Sequence, residues 1–291
     1  MAEIDLTKAK NLKAVSDVDP TISDVVKASK TSKKEKKGKF DFRESILVPL
    51  PSRGKIYREV CDDKDIIEDG HIRLLPMTVQ EEEILSSNKY IKKGSVFRMI
   101  LDRCIDSDIE SKELLNMDAV FLMFYLRSIS YGDSYEFTIK CSNETCGKKF
   151  NHSLDISKIE YKTLPEDYIE PFSVELPISK FTVEFMLPRL YHEEELVILQ
   201  NKDMINTNST RKDLVYRFYV STINIYDEKG KEVPKEDWME FYEALPGMDR
   251  SMLSEKINFS SNIDILKGME CPYCDNEFDM SIPIGAQFFR F

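Results

Sequence analysis

Four of the six cysteines in this chain lie in two knuckles, CSNETC at 141–146 and CPYC at 271–274. The spacings C-x4-C and C-x2-C are those of thiolate pairs that each supply half of a tetrahedral zinc site. Neither pair has a second one within the roughly 20 residues that a compact finger uses. If all four serve one ion, the fold must bring Cys141 and Cys146 beside Cys271 and Cys274. Four thiolates close the tetrahedron and leave no position for water, so such a site is structural rather than catalytic. Four reduced buried thiols, or a disulfide between the two pairs, are the alternatives the spacing leaves open. Cys61 and Cys104 have no partner at ligand spacing and read as a loop thiol and a core side chain.

The residues ahead of each knuckle run in the same order. ILVPLPSRGKIYREV is extended and punctuated by Pro and Gly; HIRLLPMTVQEEEIL follows, with Thr78 and Glu81 at capping-box spacing where a short helix starts. GSVFRMILDRCI carries apolar residues at helical intervals, MDAVFLMFYLRSISYG is an apolar helix stopped by Gly132, and YEFTIK alternates as a strand into Cys141. From residue 171 the series recurs. Leu75, Pro76, Glu81, Glu82, Glu83 and Ile84 match Leu187, Pro188, Glu193, Glu194, Glu195 and Leu196 at a constant offset of 112. Arg217 then answers Arg98, Met248-Asp249 answers Met117-Asp118, and Cys274, Phe278, Ser281, Ile282 and Ile284 answer Cys146, Phe150, Ser153, Leu154 and Ile156. The offset drifts because the later copy has two polar loops, NKDMINTNST and DEKGKEVPKED, that absorb insertions cheaply. The expected fold is therefore α+β, a tandem duplication of a unit made of a strand pair, helices and a zinc knuckle. One shared four-cysteine zinc ribbon joins the halves, with one Zn2+ per chain. The expected organisation is an N-terminal arm at 1–44, a first repeat at 45–157 and a second at 158–291.

Charge narrows the function. The formal net charge is -11, yet residues 1–40 hold ten lysines against six acids, which leaves about -15 on the remainder. An acidic body is a poor nucleic-acid binder, since phosphate affinity comes mostly from clustered Lys and Arg. The arm, with KASKTSKKEKKGK at 27–39, has too few apolar residues to offset the entropy of ordering it and reads as a disordered leader. No stretch approaches the roughly 20 apolar residues of a membrane span, and MAEIDLTKAK lacks the apolar core of a signal peptide. A reducing cytoplasm is the expected compartment, where cysteines serve as thiols or ligands.

Catalytic patterns are missing from the sequence. His192 opens HEEEL, but a zincin helix needs a second His four residues on, and Leu196 stands there. Consecutive acids in the two Glu triplets point in different directions on a helix and suit its positive N-terminus. His152 reads as a solvent-facing strand residue. No Gly-rich run offers a phosphate cradle, and no small-molecule substrate is expected. Phe288, Phe289 and Phe291 in GAQFFRF either fold back on the core or enter a partner's pocket.

LPSRGKIY at 50–57, LLPMTVQEEEIL, SISYGDSYEF, the knuckle after it and the ending IPIGAQFFRF together resemble the baseplate hub assembly proteins of T-even-type contractile-tailed bacteriophages. The likeness covers most of the chain beyond the arm. It implies a non-enzymatic structural component or assembly chaperone of the baseplate hub, working in the host cytoplasm or held in the tail. Its partners would be hub, spike or tape-measure proteins. The competing class is a zinc-ribbon nucleic-acid or transcription adaptor, favoured by the Lys-rich arm and opposed by the acidic body around the knuckles.

Overall fold

The computed structural model describes residues 42–87, 89–90, 95–159, 161–206, 213–257, 265–282, 284 and 286–289; Phe291 and the lysine-rich arm up to residue 41 lie outside them. Within the unit Arg43–Phe291, strand β1 (Ile46–Pro49) pairs antiparallel with β2 (His71–Leu74), Ile46 opposite Leu74 and Pro49 opposite His71. The chain between them turns at Ser52–Gly54 and makes the short helix α1 (Lys64–Ile67). Gly54 has φ 69°, and a Cβ there would lie 1.9 Å from the Ile66 carbonyl oxygen, so backbone closeness and the left-handed conformation both require glycine.

Helix α2 (Val79–Leu85) starts at Thr78, whose side chain and that of Glu81 form the full capping box that the sequence predicts. Helix α3 (Val96–Cys104) buries Met99, Ile100, Leu101 and Cys104, and α4 (Asn116–Tyr131) ends at Gly132, φ 84°. Strands β3 (Ser134–Lys140) and β4 (Lys149–Asp155) form a hairpin in continuous register from Ser134 opposite Asp155 to Lys140 opposite Lys149.

A comparable order follows. Strands β5 (Phe172–Glu175) and β6 (Thr182–Phe185) pair antiparallel, then come α5 (Leu190–Asn206) and α6 (Asp213–Ser221). Strand β7 (Thr222–Tyr226) joins β6 as a third strand, and α7 (Trp238–Ala244), α8 (Gly247–Ile257) and the hairpin of β8 (Ile265–Glu270) with β9 (Glu277–Ser281) complete the series.

One expectation about this half needs correction, and one element was not foreseen. The stretch NKDMIN, taken as loop, continues α5 to Asn206, because nothing in it stops a helix. The second polar stretch leads into α7, a helix the repeat comparison did not single out; its Trp238 and Tyr242 are buried in the core of the second half.

Two main cores result. One gathers β1, β2, α2, α3 and α4, and also takes in Leu164, Leu187, Leu190, Ile282, Phe288 and Phe289. The other gathers Val174, Val183, Phe185, Phe218, Ile225, Trp238, Tyr242 and Leu253. The first core is thus closed by residues far along the chain, from the 3-10 turn Ala286–Phe289.

Candidate metal centre

Each knuckle is the connection of a hairpin. Cys141 follows β3 and Cys146 precedes β4; Cys271 follows β8 and Cys274 precedes β9. In both, the second cysteine is followed by a left-handed residue, Gly147 (φ 54°) and Asp275 (φ 54°). The turns close alike: Gly147 N–H donates to the Asn143 carbonyl at 2.9 Å and Asp275 N–H to the Cys271 carbonyl at 2.9 Å. Cys141 N–H donates to the Lys148 carbonyl at 2.9 Å, as Cys271 N–H does to that of Asn276 at 3.0 Å. The extra residues of C-x4-C are accommodated before the turn, so the cysteine sulfurs come to corresponding places.

The two hairpins meet at their tips. The Sγ atoms of Cys141 and Cys274 lie 3.7 Å apart, those of Cys146 and Cys271 3.9 Å apart, and all four lie within 4.8 Å of one another. A tetrahedron with Zn–S bonds of about 2.3 Å has edges of about 3.8 Å, close to the separations of the Cys141–Cys274 and Cys146–Cys271 pairs. The same distances are far beyond the roughly 2.05 Å of a disulfide bond. Asn143 N–H donates to Cys141 Sγ at 3.4 Å, and the N–H groups of Tyr273 and Asn276 point at Cys271 and Cys274. Such donation favours thiolate.

Burial would raise the Cys271 thiol, but donation from Tyr273 N–H and from the neighbouring thiols carries it below its usual value. Cys141 is raised, by burial first. Cys274 goes up to about 12: the Asn276 N–H would lower it, and burial with the three facing sulfurs outweighs that.

Two further contacts join the knuckles: Asn276 Nδ2 donates to Ser142 Oγ at 3.1 Å, and Lys148 Nζ lies 4.7 Å from the centre of the Tyr273 ring. Cys61 and Cys104 stand outside the cluster. Cys104 is fully buried and its thiol raised by burial; Cys61 is also buried, and its sulfur accepts from Asp63 N–H at 3.2 Å.

The Glu triplets do different work in the two halves. Glu81 is 1% exposed; it accepts from Thr78 N–H at 2.7 Å and from Arg103 Nε at 2.6 Å. Burial alone would raise its carboxyl, but these donors hold it below the usual range. It is therefore more than an acid at a solvated helix start. Glu193 and Glu194 face the first half instead: Glu193 accepts from Asn116 Nδ2 at 2.5 Å and lies 3.7 Å from Arg217, and Glu194 pairs with Arg98. Beside them the backbone of Leu114–Asn116 bonds to that of Pro188–Leu190. Reading the triplets as a pattern of helix starts missed this contact, because it depends on partners 77 and 96 residues away.

His192 is buried and held neutral, its pKa lowered to about 3 by burial and by Arg189; its Nδ1 accepts Arg189 N–H at 3.1 Å. His152 is half-buried beside Phe137, ring centres 5.7 Å apart, rather than solvent-facing. Phe288 and Phe289 are 0% and 2% exposed; Phe288 packs edge-on to Phe124 and Tyr135 at 4.9 Å each. The two rings fold back into the chain's own core; Phe291 lies outside the described residues.

Fold and site together define a mixed α+β protein whose hairpins meet at a cluster of four thiols. The chain belongs to the family described as T4 bacteriophage base plate protein, whose model matches residues 44–290. No curated protein and no solved structure gives a significant match. The family is structural and implies a place in the virion tail and contacts with other baseplate or tail proteins. Among the described residues no helix is long and apolar enough to cross a membrane.

Proposed function

We propose that the chain is a non-enzymatic component or assembly chaperone of the baseplate hub, and that Cys141, Cys146, Cys271 and Cys274 hold one structural Zn2+ that clasps two duplicated halves. The observation that carries the clasp is the meeting of four sulfurs from hairpins whose cysteines lie 125 to 133 residues apart. The duplication, with repeats at 45–157 and 158–291 behind an arm at 1–44, is supported by the like turns of the two knuckles and by the recurring element order. A hub role rests on the sequence likeness beyond the family match, and places assembly in the host cytoplasm.

A structural zinc site contributes on the order of 10 kcal/mol, comparable to the whole net stability of a domain. Joining distant segments, it would hold the two halves in one fixed relation, as a scaffold that seats several partners requires.

Native mass spectrometry of the chain co-expressed with the hub and tape-measure proteins of the same phage tests both parts. One zinc per chain and a complex with a tail protein are expected. A zinc-loaded monomer that carries nucleic acid through purification would replace the hub role by the adaptor reading. A metal-free complex would remove the clasp.

A further inference from the structure

The connection between β4 and β5 crosses the turn that follows β1 and is held there at few points. Of residues 161–167 only Leu164 is buried, 2% exposed in the first core, and its neighbours on both sides are exposed. Leu164 N–H donates to the Pro51 carbonyl at 2.9 Å. Arg53 Nη1 donates to Glu166 at 2.7 Å and Arg53 Nη2 to Thr163 Oγ1 at 3.3 Å. The Arg53 and Glu166 side chains are 39% and 80% exposed, and an ion pair so open to water contributes little. Tyr161 adds a ring contact with Phe121 at 4.5 Å. On either side of this segment the chain is fixed. Ile156 is buried and Ile159 packs against the first core; Glu170 accepts Leu187 N–H at 2.8 Å and pairs with Arg189 at 2.6 Å.

The turn beneath has its own supports. Leu50 N–H donates to the Gly70 carbonyl and Arg53 N–H to the Leu50 carbonyl, both at 2.8 Å. Ser52 N–H donates to Asp118 of α4 at 2.9 Å, and the Ser52 hydroxyl oxygen accepts Gly54 N–H at 3.2 Å. Among the described residues, the backbone of the turn bonds to the segment above it only through the Pro51 carbonyl. Arg53 has φ 59°, a conformation that costs energy outside glycine and persists only where the surroundings hold it. Here the bonds to Asp118, Leu50 and Gly70 do so, and none of them involves residues 161–167.

We infer that residues 161–167 form a releasable strap, which lifts as a unit while the turn at Leu50–Gly54 and both ends of the segment stay in place. Lifting gives up the burial of one side chain, one backbone hydrogen bond and a solvent-screened ion pair. Segments with so few buried contacts open well below the free energy of global unfolding. The opening bares the socket of Leu164 in the first core, the Pro51 carbonyl and the Arg53 guanidinium, a face that the closed protein withholds. The strap is thus a lid over a turn that is already built, and Leu164 is its latch.

Hydrogen exchange of the full chain, followed by mass spectrometry at peptide resolution, tests this. The strap amides should be protected, yet exchange about a hundredfold or more faster than those of Phe121–Phe124 in α4. Ser52 and Arg53 amides should stay protected, since their acceptors lie outside the strap. Leu164→Ala should speed exchange of the strap about tenfold or more, and Glu166→Lys, which leaves the core untouched, by about threefold. Neither should change the rate in α4. Strap amides that exchange no faster than α4 would mean that the segment opens only with the whole fold, and would overturn the proposal. Exchange of Ser52 and Arg53 as fast as the strap would show that the turn comes apart with it, and also overturns it. So do strap amides without any protection, or indifference of their rate to both substitutions.

Discussion

Asp118→Ala and Asp249→Ala should differ sharply in cost although both remove a buried carboxylate that holds a Leu-Pro turn. Asp118 accepts from Ser52 N–H, from the Ser52 hydroxyl, and from the Tyr57 hydroxyl at 2.5 Å. Ser52 is 3% exposed and Tyr57 0%, so water cannot replace the lost acceptor, and the Tyr57 oxygen is already engaged by Leu115 N–H at 3.0 Å. Three buried donors left unmet at about 1–2 kcal/mol each give a loss of about 3–6 kcal/mol. Asp249 accepts two N–H groups, and one belongs to Ile178 at an open turn where water can take over. There the loss should be about 1–2 kcal/mol. Urea unfolding of the metal-loaded full chain, with m held common, measures both through the shift in midpoint. If Asp118→Ala proves too unstable to isolate, Asp118→Asn keeps one acceptor oxygen and brings the comparison into range. Equal costs for the two alanine variants, or an Asp118→Ala loss under about 1 kcal/mol, would show that burial of the turn is not what sets the energy.

Other outcomes follow from the same structure. Burial raises the Asp118 carboxyl from 3.8 to about 6 despite its donors, so the folded state binds its proton more tightly than the unfolded one. Its contribution is greatest below about pH 4 and falls as pH rises through about 6; the stability difference between wild type and Asp118→Asn should narrow or reverse by about 3 kcal/mol over that window, in denaturation curves at a series of pH values. Phe288→Ala should cost about 3–5 kcal/mol for a buried ring with aromatic neighbours, read by thermal or urea unfolding. Gly54→Ala should destabilise far more than Gly132→Ala, because an added Cβ would meet the Ile66 carbonyl at 1.9 Å in one case and nothing within 4 Å in the other, though both residues have positive φ. Cys271→Ser should lower the bound zinc well below one per chain and the melting temperature with it, by metal analysis and calorimetry; retention of both would refute the clasp.

The parts legible in the sequence were those whose causes are local. Thr78 and Glu81 satisfy each other across one helical turn, Gly132 stops α4 by its own conformation, and the cysteine spacings shape their own turns. The meeting of the two knuckles could be anticipated because each pair lacks the rest of its ligand set. What stayed hidden depends on distant partners. Met117-Asp118 and Met248-Asp249 stood out as recurring pairs, but an acid in the first turn of a helix already has a sufficient local explanation in the helix dipole. Only the fold shows these carboxylates reaching turns 66 and 71 residues away. The burial of Glu81 was concealed in the same manner by a triplet whose other members are exposed. Helix α7 escaped because the comparison of halves searches for what recurs, and it interrupts the recurrence.

That residues 286–289 complete the core around α4 and β3 bears on how the protein comes into being. During synthesis at about 5–20 residues per second, Phe124 and Tyr135 must wait on the order of ten seconds or more for Phe288. Cys141 and Cys146 wait nearly as long for Cys271 and Cys274. Through that interval the nascent first half exposes an aromatic surface and an incomplete thiol pair. Folding can therefore finish only once residues 271–289 have emerged, and a ribosome stalled short of residue 271 would leave the core around α4 and the thiol cluster unfinished.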